Sequence, residues 1–194
     1  MTQAQATSGV FASLDSIEHV CLMYRTPTEQ FGAVIPWFRS AIERGERCVY
    51  IADGDSISEI RLMLNSQGIT VDTALEAGVM LMNTSSDPYI RRIGFDMNAL
   101  FTYVDALCVD VMQRGNGGIC LAREMTWSLV DRLSIQNFME SEEKLNRIPI
   151  PRLRLMCQFN DNRFGPEIFD EIVRLHPTVI FNGQVSSNSQ YATA

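Results

Sequence analysis

The chain has little of what several large function classes require. Histidine occurs only at His19 and His176 in 194 residues, which excludes a multi-histidine metal centre. The five cysteines, Cys21, Cys48, Cys108, Cys120 and Cys157, are odd in number, widely spaced and set mostly in apolar runs. That pattern is neither a disulfide framework nor a CxxC metal knuckle, and it fits reduced core thiols. No metal and no cofactor are expected. Lys and Arg number 16 against 23 Asp and Glu, a net charge of −7. With no basic excess to release counterions, nucleic acid and anionic lipid are disfavoured as direct partners. No segment approaches the ~20 apolar residues needed to span a bilayer, and residues 1–14 lack both a basic start and a long apolar run. A soluble cytoplasmic protein with no membrane partner is expected.

What is present reads as one domain. At 46% hydrophobic the chain can bury a sizeable core. Short apolar runs, "HVCLMY", "CVYIA", "VMLMN", "ICLAR", "RLRLMCQF" and "TVIF", alternate with helical patterns along its length. Runs apolar on both faces suit a largely parallel sheet covered by helices on each side, so the expected fold is α/β and doubly wound. "SISE" at Ser56–Glu59 has the form of a capping box, and Gly68 is placed to close that helix in the left-handed conformation. Leu100, Val104, Leu107 and Val111 recur at helical spacing before a Gly-rich stop. Residues 1–14 are expected as an extension, 15–183 as the domain and 184–194, small and polar, as a tail or linker.

The first strand and helix frame a turn where nucleotide-binding folds keep a phosphate loop. Here the turn is Tyr24-Arg25-Thr26-Pro27-Thr28-Glu29, without the glycines, the Lys or the following Ser/Thr of a P-loop. Thr26 suits the N-cap, Pro27 the first helical position, and Glu29 completes a T-x-x-E box. A helix that caps itself and sets a carboxylate at its positive end repels phosphate. Ordinary ATP hydrolysis is therefore not expected.

The ordered set "HVCLMY", "GERCVYIADG", "AREMTWSL", "EEKLN", "MCQFN" and "RLHPTVIFNG", spanning roughly His19–Gly183, resembles the MEDS domain family of methanogens and methylotrophs, which includes the DcmR sensory domain. The resemblance implies a degenerate relative of RecA-like and circadian-clock ATPase domains, a three-layer fold with a lost phosphate loop. It implies sensing of small molecules, hydrocarbon derivatives among them, in place of turnover. It also implies a signalling partner, a kinase or transcription regulator, reached through another chain or through a larger protein of which this is a fragment, and a homodimer.

In an open α/β sheet, ligands bind outside the carboxyl ends of the strands, near a topological switch point. Those ends carry Tyr24 and Arg25, Asp53 and Asp55, Arg123 and Glu124, and Gln158 and Asn160. "AREMTW" is the richest corner: Arg123 is placed to pair with an anionic ligand group or, within the fold, with Glu124, and Trp127 to form an apolar wall or a core contact. His19 is a candidate pH switch or ligand contact, or a satisfied buried histidine. His176, after "EIFDEIVRL", suits a helix cap. Cys157 is a redox-sensor candidate if exposed near Arg152 or Arg154, or else a core thiol. Met80, Met82, Met112, Met125 and Met156 either line an adaptable pocket or fill the core. No catalytic residue is assigned. The leading expectation is an inactive sensory domain with a small effector; the alternatives are a dimerising scaffold without ligand and a nucleotide binder with residual ATPase activity.

Overall fold

A computed structural model describes residues 19–53, 56–85, 97–129, 132–147, 152–189 and 191. The six apolar runs are strands of one sheet: β1 (His19–Tyr24), β2 (Arg47–Ala52), β3 (Met80–Thr84), β4 (Ile119–Glu124), β5 (Leu153–Asn160) and β6 (Thr178–Phe181). The order is β3-β2-β4-β5-β1-β6-β7, parallel at every pairing except the last. The seventh strand, β7 (Gln184–Ser187), arises from the segment expected as a tail. Asn182 and Gly183 both take positive φ, 50° and 72°, as a two-residue hairpin turn requires, and they fold β7 back antiparallel onto β6.

Two helical layers cover the sheet. α1 (Pro27–Glu43), α2 (Ile57–Ser66) and α3 (Val71–Glu76) carry the chain from β1 through β2 to β3 and pack on one face, against Leu22, Tyr50, Ala122 and Met156. α4 (Met97–Arg114), α5 (Arg132–Arg147) and α6 (Pro166–Arg174) carry it back through β4 and β5 to β6 and pack on the other, against Met23, Val49, Leu121 and Phe159. Opposite directions of travel on opposite faces are what crossovers of one hand demand. Val104, Leu107 and Val111 of α4 are buried as their spacing predicts, and Gly115 ends that helix at φ 73°. The Leu100 side chain lies outside the described residues, as do residues 1–14. Met80, Met125 and Met156 fill the core, Met82 packs at its edge, and Met112 is exposed. Among the described residues, no helix is long and apolar enough to cross a membrane.

The helix ends depart partly from the expected capping. At α1 the Glu29 N–H donates to Thr26 Oγ1 at 3.3 Å, as the box predicts, but the Glu29 carboxylate accepts from the Arg25 N–H at 2.8 Å, one residue before the cap. At α2 the box does not form: Ser56 is helical in backbone and makes no cap bond. Its hydroxyl is engaged by Glu124 across the chain. Gly68, at φ 83°, does close that helix.

Candidate functional site

Consecutive residues of a strand point to opposite faces, so Glu124 and Gln158 project from one side of the sheet while their neighbours Arg123 and Cys157 project from the other. A buried polar cluster forms on each side.

The first lies at the carboxyl ends of β2 and β4. The chain leaves β2 toward α2 on one face and leaves β4 toward α5 on the other, which opens the crevice of a topological switch point between them. Glu124, buried, is its centre. Oε1 accepts from the Tyr50 hydroxyl at 2.7 Å and from Gln30 Nε2 at 3.0 Å. Oε2 accepts from the Asp53 backbone N–H at 2.7 Å and from the Ser56 hydroxyl at 2.9 Å. Burial pushes the Glu124 carboxyl above its ordinary pKa, and these donors oppose the rise. A carboxylate offers about four lone-pair sites, and here four donors occupy them. Glu124 is thus held in place by its donors, with no lone pair left for a substrate proton. Gln30 Nε2 also donates to Gln158 Oε1 at 3.0 Å, leaving the fully buried Gln158 Nε2 with no hydrogen-bond partner among the described residues. Tyr24 borders the cluster. Its hydroxyl is hydrogen-bonded to Asn160, and its pKa is raised by burial first and then by the Glu124 and Asp53 carboxylates.

The second cluster lies on the opposite face, beneath α5. Glu142, fully buried, receives Arg123 NH2 on Oε1, while Oε2 lies 2.7 Å from His19 Nε2 and 3.5 Å from His176 Nε2. Cys157 Sγ is 3.2 Å from Arg123 Nε and 3.3 Å from His19 Nε2. Burial works against charging Glu142, but Arg123 and His19 hold its carboxyl well below the usual range. His176 is pushed down to about 3 by burial and by the neighbouring His19, so its ring is neutral. His19 is pushed up to about 10: burial opposes its charge, and Cys157 and Glu142 outweigh burial.

These positions sort the candidate residues. Tyr24, Asp53, Glu124, Gln158 and Asn160 come together at the switch point. Arg25 does not join them; it is exposed, with Nε donating to Asp161 at 2.6 Å. Arg123 is turned away, and its carboxylate partner is Glu142, not Glu124, because adjacent strand residues cannot share a face. The Trp127 side chain and Asp55 lie outside the described residues. Cys157 is buried, and the guanidinium beside it is Arg123; Arg154 faces the other way and stacks on Trp37 at 4.2 Å. His176 caps α6 through Nδ1, which donates to the Ile172 carbonyl at 2.7 Å, while Nε2 enters the second cluster. Gln30, Tyr50, Ser56, Glu142 and Asn146 were not among the candidate site residues, although Ser56 was read as a helix cap and Glu142 and Asn146 begin and end the "EEKLN" motif. The signal for two of them was present: Glu142 and Asn146 follow Phe138 at four-residue intervals, on the inward stripe of α5.

The sequence model of the methanogen/methylotroph, DcmR sensory domain, MEDS, matches residues 18–177. No curated protein matches the chain. Among solved structures, the uncharacterized protein PH0321 from Pyrococcus horikoshii, crystallised with an unknown peptide, superposes with a TM-score of 0.62 at 8% identity, over 93% of this chain and 86% of that one. The flagellar accessory protein FlaH from Methanocaldococcus jannaschii superposes with a TM-score of 0.53 at 12% identity, over 91% of this chain and 83% of its own. Both likenesses are of fold, and the fold is RecA-like.

Proposed function

Because the chain belongs to the MEDS family of sensory domains, we propose that it is a non-catalytic cytoplasmic sensor that binds a small effector at the Glu124 cluster and signals its occupancy to a kinase or transcription regulator. The observation that carries this is the state of the two groups a phosphoryl-transfer enzyme would need there. The amino end of α1 is closed by Thr26 and guarded by the Glu29 carboxylate, so it offers phosphate no cradle. The buried carboxylate at the switch point is saturated by four donors and has no capacity left to act as a base. What remains is recognition. Gln158 Nε2 is a buried donor without a partner among the described residues, and the Tyr50 hydroxyl lies 3.3 Å from the Oε1 of the same side chain, an arrangement suited to a small molecule bearing a hydrogen-bond acceptor on an apolar body. Incubation with ATP and Mg²⁺ is expected to give no turnover above background. Hydrolysis that disappears in Glu124→Gln would overturn this assignment.

The scaffold reading is favoured by one feature: Val109 and Met112, three residues apart on α4, are exposed at 53% and 72% on the side away from the core. A second copy of the chain would cover them. Light scattering should then show a dimer that Met112→Glu converts to monomer; a monomeric wild type counts against this arrangement.

A further inference from the structure

The second cluster brings both histidines of the chain to one place, with ring centroids 4.2 Å apart, beside a thiol and a carboxylate. We infer that His19 Nε2, His176 Nε2, Cys157 Sγ and Glu142 Oε2 form a closed binding site for a single Zn²⁺-type divalent cation. This stands independently of the effector assignment, since it lies on the other face of the sheet.

Three observations carry it. First, the donor atoms already converge, all within 4.8 Å of one another, and all four residues are buried. In a tetrahedral zinc site with bonds of about 2.0–2.3 Å, ligand atoms stand about 3.3–3.8 Å apart. Cys157 to His19 at 3.3 Å, Cys157 to Glu142 at 3.6 Å and His176 to Glu142 at 3.5 Å fall in that range. His19 to Glu142, at 2.7 Å, must open by less than about 1 Å.

Second, both rings are held with Nε2 inward. Asn146 Nδ2 donates to the Leu175 carbonyl at 2.6 Å, which turns Asn146 Oδ1 toward His19 Nδ1 at 2.9 Å; that nitrogen therefore carries the proton. His176 Nδ1 must likewise donate, because its partner is the Ile172 carbonyl. Metal-ligating histidines are oriented in this way, with the distal N–H fixed by an oxygen. Third, His176 Nε2 is left as a buried lone pair with no hydrogen-bond partner among the described residues, aimed at Glu142 and His19. A folded protein rarely leaves such a group orphaned.

Arg123 suits the same assignment from outside the ligand set. Its Nε points at Cys157 Sγ and its NH2 at Glu142 Oε1, the carboxylate oxygen that does not face the histidines. A thiol and an imidazole bind a metal ion through deprotonated donor atoms, so loading releases protons. Four protein ligands with no open position describe a structural site, one that ties β1, β5, α5 and the end of α6 together.

The test uses the reduced full chain, stripped with chelator and dialysed against Zn²⁺ or Co²⁺. A single equivalent of Zn²⁺ should be retained. Co²⁺ should give the intense ligand-field bands of a tetrahedral site together with a thiolate-to-cobalt charge-transfer band. Cys157→Ser should abolish that band, and Asn146→Ala, which touches no metal ligand except His19, should weaken Zn²⁺ binding about 10- to 100-fold. Substoichiometric zinc in the wild type, an octahedral cobalt spectrum, or a charge-transfer band that survives in Cys157→Ser overturns the assignment. The wild-type measurements decide the matter even where a variant fails to fold.

Discussion

Arg123→Ala tests whether this arginine belongs to the fold or to the effector. Its guanidinium donates to Glu142 and, at 3.2 Å, to Cys157, and both partners are fully buried, so neither can turn to water. Removing one member of a buried pair costs roughly 3–5 kcal/mol. Glu142 keeps His19 at 2.7 Å, which sets the expectation near the lower end, about 3 kcal/mol. For a domain of this length that lowers Tm by roughly 6–12 °C. Arg61→Ala is the control: its partner Asp72 is 70% exposed, and the loss should stay within about 1 kcal/mol. Urea and thermal unfolding measure both variants, and calorimetric titration follows the effector. Arg123→Ala should leave effector affinity unchanged, because its side chain is on the far face from Glu124. A Tm shift under about 2 °C, or weakened effector binding at full stability, refutes the reasoning.

Glu124 gives a pH signature. Burial raises its folded pKa above the ordinary value of about 4.3, so the folded state holds that proton more tightly than the unfolded state does. The resulting stabilisation is fully present below the unfolded value and is lost as pH rises through the folded one. The unfolding free energy of wild type minus that of Glu124→Gln should therefore fall with rising pH, starting near pH ~4, and then flatten; a gap that widens with pH contradicts the assignment. At the opposite end of β4, a Cβ on Gly118 would stand 2.7 Å from the Arg152 carbonyl oxygen. Gly118→Ala should cost about 1–3 kcal/mol, read as a lower urea midpoint at unchanged slope, and an unshifted midpoint would show that the strands part freely there.

The sheet was legible because its strands are buried on both faces and read as unbroken apolar runs between helical patterns. "HVCLMY" and "ICLAR" admit no other element of that length. β7 was missed because "QVSS" is too polar to read as a strand, yet the Asn182-Gly183 pair ahead of it is a strong hairpin signal. The switch-point cluster was half visible. Residues at strand ends follow from strand boundaries, which gave Tyr24, Asp53, Glu124, Gln158 and Asn160. Gln30 and Tyr50 reach the same point from inside a helix and a strand, where only the packing angle brings them in. The separation of Arg123 from Glu124 follows from the pleat alone. The convergence of the second cluster was hidden because its members come from β1, α5, β5 and the segment beyond α6, with His19 and His176 separated by 157 residues. The expectation of no metal rested on the count of two histidines and on the spacing of the cysteines, neither of which registers convergence across the fold.

The central claim, that an effector occupies the Glu124 cluster, is tested most directly by native mass spectrometry of the purified wild type beside Gln158→Leu, with matched circular dichroism. The wild type should carry a small-molecule mass, beyond any metal, that is absent from Gln158→Leu. A wild type at bare-chain mass, or a bound mass that persists in the variant, contradicts the claim.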